Sequence, residues 1–237
     1  MKEHSIHEDP KIAAFAERQM RDWAIAQEIV ERAREAGSLA EAAAQVRRYV
    51  SISREAGAGG AEVARLVADK LGWQLFDRNL LDRVAERFHH CRMMLELVDE
   101  TESNWVYDVL GTWMDRQIVP HEKYVSQLAR IVLAAARGAH CVFVGRGAQF
   151  MLPRDRGLAV RLVAPERFRV ERIMRLEGRS AADARQRVEQ LDRGRAEFVE
   201  RFFHHAVADP HLYDLVINTE RWGMEGAAEQ IAAAARG

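Results

Sequence analysis

YVSISREAGAGGAEVA, residues 49–64, is the stretch on which the fold reading turns. Its β-branched start, Tyr49–Ser53, reads as a strand, and Gly57, Gly59 and Gly60 form a loop before a helix over 61–71. A strand, a glycine loop and a helix start are the setting a phosphate-binding loop needs. Glycine allows positive φ and close approach, so successive amides and the helix N-terminus can converge on phosphate oxygens. A tight strand-to-helix turn also carries glycine without binding anything, so the loop alone leaves both readings open. Against the Walker A pattern GxxxxGK(S/T), registering on Gly59 puts Arg54 at the first glycine, Gly60 at the lysine and Ala61 at the hydroxyl position. Backbone amides could still hold phosphate. Positive charge for a transferring phosphoryl group must then come from another residue.

Working outward, short β-branched runs alternate with helical stretches, the pattern of a parallel sheet covered on both faces. Five strands are expected, at Tyr49–Ser53, Gln74–Phe76, Cys141–Gly145, Ala159–Val163 and Asp214–Asn218. Helices are expected near 61–71, 78–88, 105–118, 121–137, 166–176, 181–203 and 225–235. Upstream, Ile12, Phe15, Met20, Trp23 and Val30 recur at helical spacing, Gly37 stops that helix, and Ser38 to Glu41 is a capping box for a second one. Residues 1–47 therefore read as a helical hairpin, either a brace on the main domain or a homodimer contact. Residues 48–237 read as one α/β domain.

The chain has 237 residues with 35 basic and 36 acidic side chains, a formal charge of −1. That balance argues against a general nucleic-acid wrapper. No apolar run of about 18 residues occurs, and the charged start MKEHSIHEDPK lacks the core of a signal peptide, so a cytoplasmic protein without membrane contact is expected. Two cysteines, Cys91 and Cys141, lie far apart and without metal-ligand spacing. Only Lys2, Lys11, Lys70 and Lys123 are lysines, which leaves 31 arginines. Such a skew is also what GC-rich coding produces without any demand of chemistry.

The run Ser51 to Gly60, followed by a helix and then Gly72-Trp73-Gln74-Leu75-Phe76-Asp77, resembles the opening of the cytidylate kinase-like family, a branch of the P-loop nucleoside monophosphate kinases. That family commonly carries a Ser-Arg-Glu-x-Gly-x-Gly-Gly loop in place of an ordinary Walker A. Here Ala61 stands where an arginine often follows. Val142 to Gly147 is similar to the family's strand and Gly-Arg-Asp turn, with Arg146 kept and Gly147 in the aspartate's place. Asp192-Arg193-Gly194-Arg195 matches an Asp-x-x-Arg pattern of the lid helix, and Tyr213 to Thr219 looks like the last strand. The resemblance spans about 48–235. It implies a three-layer P-loop kinase fold, with a monophosphate-binding helical insertion at about 78–137 and a lid at about 166–205. It implies ATP with Mg²⁺ at Ser53, Arg54, Gly57, Gly59, Gly60 and Ala61. A monophosphate such as CMP is implied near Asp77, Arg146, Asp192 and Arg195, with Arg146, Asp192 and Arg195 nearest the chemistry.

Residues 161–195 hold ten arginines and six carboxylates. A guanidinium is a planar fork that clamps phosphate bidentately, and a lid would bring it over the phosphates. Most of these arginines should instead sit on solvated helical faces, with pairs such as Glu171 to Arg175 and Glu189 to Arg193. Arg172 and Arg175 are the further lid candidates. Asp77 either caps the next helix or faces a ligand at the sheet's carboxyl edge, or does both. Asp192 either holds substrate or orients Arg195. Neighbouring histidines, His89-His90 and His204-His205, point about 100° apart on a helix and suit no shared metal. Trp105, Tyr107, Trp113 and Met114 read as packing. The alternative to a kinase is a nucleotide-binding or assembly module whose N-terminal helices contact partners.

Overall fold

The computed structural model describes residues 45–77 and 120–237. The helices expected near 78–88 and 105–118, the His89-His90 pair and the N-terminal hairpin as far as residue 44 lie outside the described residues. Residues 45–47, expected to finish the second helix of that hairpin, are instead turn and irregular backbone leading into the sheet, with Val46 buried.

In chain order the elements are β1 (Tyr49–Arg54), α1 (Gly60–Leu71), β2 (Gln74–Phe76), α2 (Pro120–Gly138), β3 (Cys141–Val144), β4 (Gly157–Val163), α3 (Glu166–Glu177), α4 (Ala181–Phe203), β5 (Leu215–Asn218) and α5 (Thr219–Arg236). The five strands form one parallel sheet in the order β2-β3-β1-β4-β5. β1 is central, with Ile52 beside Val144 on one side and Val160 on the other. Because β3 and β4 lie on opposite sides of β1, a crevice opens at their carboxyl ends, where open α/β sheets take ligands.

The strands alternate between two cores. Tyr49, Phe76, Cys141 and Phe143 pack under α2, against Leu128, Ile131 and Val132. Val50, Ile52, Val142, Val160 and Leu162 pack on the opposite face under α1 and α5, against Val63, Val67 and Ile231. Each strand side chain buried this way contributes roughly 1.5–3 kcal/mol. Tyr49 sits at the edge of the first core with its hydroxyl donating to the Leu152 and Pro153 carbonyls at 3.4 and 3.2 Å. Burial pushes that hydroxyl's pKa up to about 12, against the opposing pull of Arg154.

Among the strands and helices described, two boundaries differ from expectation by more than one residue. α5 starts at Thr219, six residues earlier than periodicity suggests, because the Asn218 side chain caps it by accepting the Glu220 N–H at 3.0 Å. Gly223 then breaks the helical dihedrals, which hides the early turn from a periodicity count. β4 starts at Gly157, two residues early, opposite Tyr49. α3 and α4 pack on each other through Val170, Ile173, Ala184 and Val188, and Ala56 of the glycine loop is buried among them. Ser180 caps α4, accepting the Asp183 N–H at 3.2 Å. No helix among the described residues is long and apolar enough to cross a membrane.

Candidate active site

The loop leaving β1 is tied down at each step. The Glu55 N–H donates to the Leu162 carbonyl at 3.0 Å, and Glu55 Oε2 accepts the Ala164 N–H at 3.0 Å. Ala56 is held on both polar groups: its N–H donates to Asp192 Oδ1 at 2.6 Å, and its carbonyl accepts from Arg169 Nη1 at 3.2 Å. Arg169 Nη1 also donates to Asp192 Oδ2 at 2.6 Å, its Nε donates to the Ala164 carbonyl at 2.9 Å, and Glu55 lies 3.4 Å away. Gly57 has φ +80°, and a Cβ there would sit 2.5 Å from the Arg169 carbonyl oxygen. Only glycine meets both the left-handed backbone and that approach. The Gly59 carbonyl accepts the Val63 N–H at 3.0 Å as α1 begins, so the helix N-terminus opens beside the loop.

Facing this loop, β3 ends in a turn whose Gly145 N–H donates to the Ile52 carbonyl at 3.0 Å. Gly145, Arg146 and Gly147 have φ of 75°, 59° and 70°, three left-handed residues in succession. For arginine that conformation is unfavourable by about 1–2 kcal/mol, a cost structures tolerate where geometry serves a site. The Arg146 guanidinium lies 5.5 Å from the Phe198 ring of α4. Ser51 donates to Gln149 Oε1 at 2.7 Å beneath the turn, with both side chains buried.

Between the end of β1, the turn and α4 lies a cleft of about 250 Å³, whose walls include Ser53, Arg54, Arg146, Gln149, Arg195 and Phe198. Arg195 Nη1 donates to the Arg54 carbonyl at 3.1 Å, which fixes this third cation in the cleft wall. A neighbouring hollow of about 270 Å³ shares Arg54 and Arg195 and adds Arg161, Arg193, Glu55 and Asp192. Arg161 is buried, donates to Ser53 Oγ at 3.2 Å and stacks over Tyr213 at 5.7 Å.

Of the residues singled out from sequence, Ser53, Arg54, Arg146 and Arg195 meet in the cleft. Gly57, Gly59 and Gly60 form the loop, and Ala61 is exposed in the first turn of α1. Asp192 lies in the adjacent hollow, holding Ala56 and Arg169 and standing 3.6 Å from Arg195. Asp77 follows edge strand β2 and lines neither hollow. Arg172 pairs with Glu62 of α1, and Arg175 is exposed; neither lines the cleft. Other arginines of α3 and α4 pair across elements, Arg167 with Glu220 and Arg185 with Glu166. His204 ends α4 with φ 54°, and His205 stacks on Phe150 at 5.1 Å.

Sequence reasoning missed Glu55, Gln149, Arg161, Arg169 and Phe198. Arg161 had a signal: a charge at position five of a seven-residue strand buried on both faces needs partners. Arg169 had none, since it is one arginine among ten and its partners are 5, 23 and 113 residues away.

Mg²⁺ is the metal implied by the resemblance. Among the described residues no group of three or more His, Cys, Asp or Glu could hold a metal ion, Ala61 has no hydroxyl, and Glu55 and Asp192 are engaged by Arg169. The described residues therefore build no Mg²⁺ site of their own. What they do build is a basic cleft, with Arg54, Arg146 and Arg195 in its walls, whose guanidinium groups suit phosphate.

The model of the cytidylate kinase-like family matches residues 49–221. A protein named cytidylate kinase from Pyrococcus horikoshii is 25% identical over 185 residues, 78% of this chain and 86% of its own length. One of the same name from Thermococcus sibiricus is 30% identical over 114 residues, 48% of this chain and 58% of its own. Among solved structures, an uncharacterized protein from Eubacterium ventriosum superposes with TM-score 0.61 at 18% identity, covering 80% of this chain and 99% of that one, a likeness of fold.

Proposed function

The chain belongs to the cytidylate kinase-like family, and from that premise we propose that it is a nucleoside monophosphate kinase. It would transfer the γ-phosphoryl group of ATP, taken as its Mg²⁺ complex, to CMP or a related nucleotide. The observation that carries this reading is the cleft itself, with Ser53 and Arg54, which lead into the glycine loop, on one wall and the Gly145-Arg146-Gly147 turn on the other. A phosphate oxygen of the monophosphate attacks the γ-phosphorus, the bond from that phosphorus to the β–γ bridging oxygen breaks, and ADP leaves with the nucleoside diphosphate as partner product. Such a transfer needs little covalent help, so the chain's work is alignment and charge. The α1 N-terminus and loop amides take the triphosphate, Arg146 takes the monophosphate, and Arg195 bridges loop and lid. The names of the archaeal relatives support a pyrimidine monophosphate as acceptor.

The test is ADP release measured over CMP, dCMP, UMP, AMP and small hydroxyl metabolites. Turnover with CMP or a close pyrimidine analogue is expected. Blank rates across the panel, with nucleotide binding intact by calorimetry, would overturn the kinase reading in favour of a nucleotide-binding module.

A further inference from the structure

We infer that Arg54 does the work of the missing Walker lysine, reaching the phosphates from the start of the loop instead of its end, and that Gly60 and Gly145 are glycine to let it through. This deepens the proposed kinase function and rests on it. Arg54 is the last residue of β1 and pairs with Leu162 of β4. It shares the parity of Val50 and Ile52, whose face is covered by α1, so its side chain leaves the strand toward the first residue of that helix. There the stem crosses Gly60: a Cβ on Gly60 would lie 2.5 Å from Arg54 Cγ and 3.0 Å from its Cβ. Gly60 is the position where a Walker loop carries lysine. The guanidinium continues to the facing turn, where a Cβ on Gly145 would overlap Nη1 and lie 3.3 Å from Cζ. One arginine thus spans from donor loop to acceptor turn, over two positions without side chains, and lines both hollows.

The two other cations in the cleft are placed differently. Arg195 donates to the Arg54 carbonyl, and Arg146 belongs to the acceptor turn. Arg54 is the cation whose stem lies on the glycine loop and whose head lies between the two walls. A lysine at Gly60 and an arginine at Arg54 would compete for one space, so the chain carries the second in place of the first. The forked head can touch both a transferring phosphoryl group and its leaving oxygen, which a point-like ammonium does less well.

The experiment compares wild type with Arg54→Met, Arg54→Ala, Gly60→Lys and the double variant Arg54→Ala/Gly60→Lys. Calorimetry against ATP and AMP and steady-state turnover are the readouts, with thermal melts reporting folding. Arg54→Met keeps the stem on Gly60 and removes only the charge. It should weaken ATP at least tenfold while leaving AMP within about twofold, and lower kcat on the order of a hundredfold. Gly60→Lys alone should also lose activity, because it displaces the Arg54 stem. In the double variant the lysine should recover ATP affinity and turnover relative to Arg54→Ala. ATP affinity and kcat of folded Arg54→Met within twofold of wild type would overturn the inference while leaving the kinase reading standing. Wild type that binds no ATP would overturn the kinase reading and the inference with it.

Discussion

Asp192, near the middle of α4, accepts the backbone N–H of Ala56 at 2.6 Å, so the glycine loop is completed by a carboxylate 136 residues downstream. The same carboxylate carries Arg169 on its other oxygen at 2.6 Å. The loop, α3 and α4 are therefore one hydrogen-bonded unit. Asp192→Ala should cost about 2 kcal/mol, less than the 3–5 typical of a fully buried ion pair because the side chain is 29% exposed. Asp192→Asn keeps an acceptor for Ala56 and should cost about half as much. Urea unfolding with unchanged slope is the measurement, and equal losses for the two variants would show that the Ala56 bond contributes nothing.

Arg169 makes hydrogen bonds with the Ala164 and Ala56 carbonyls and with Asp192, which uses the geometry of the guanidinium fork. Lysine cannot reproduce it. Arg169→Lys should lower the melting temperature by several degrees, corresponding to about 2 kcal/mol. In a double-mutant cycle with Asp192→Ala, a coupling of more than about 0.5 kcal/mol is expected. Additive losses would mean that the two residues act independently.

The turn residue Arg146 separates stability from chemistry. Glycine adopts φ 59° without the strain arginine carries. Arg146→Gly should therefore be more stable than Arg146→Ala by about 1 kcal/mol, while both lose turnover with CMP. A thermal melt and the ADP-release assay are run on the same preparations. Full activity in either variant would remove Arg146 from the site.

Tyr49 supplies the pH dependence. Its hydroxyl has a pKa of about 12 when folded and 10.0 when exposed. The folded state keeps the proton that the unfolded chain releases, so the contribution is full below pH 10 and is lost as pH rises toward 12. Tyr49→Phe should cost about 1 kcal/mol at neutral pH through its lost carbonyl bonds and should unfold less steeply between pH 10 and 12. Parallel alkaline profiles for the two proteins would contradict the buried-phenol account.

The layout of the sheet was legible because its signals are local. β-branched runs such as Cys141–Val144 lie between turn residues, and the glycines of the loop sit between a strand and a helix. Arg54, Arg146 and Arg195 were legible for the same reason, since each stands inside a short motif. The lattice around Ala56 was not. Its members, Glu55, Arg169 and Asp192, come together only when α3 and α4 fold back over the loop, and no spacing in the chain encodes that contact. The arginines of α3 show the converse. Helical periodicity suggests pairing along one helix, but Arg172 finds Glu62 and Arg167 finds Glu220 on other elements, because packed helices bring nearer partners than the next turn does.

The alternation of β1 between two cores makes this strand behave like a reading frame. Tyr49 and Ser51 face one core, Val50 and Ile52 the other, and every later side chain inherits that phase. Deleting one residue from the strand would keep its composition and hydrophobicity almost unchanged, yet Arg54 would turn toward the Ser51–Gln149 side, away from Gly60. A residue inserted at the exposed Asp155, just before β4, would shift no side chain of β1 to the other face, since it sits beyond the paired register. The six residues of β1 thus cannot change in number without moving the one charge at their end.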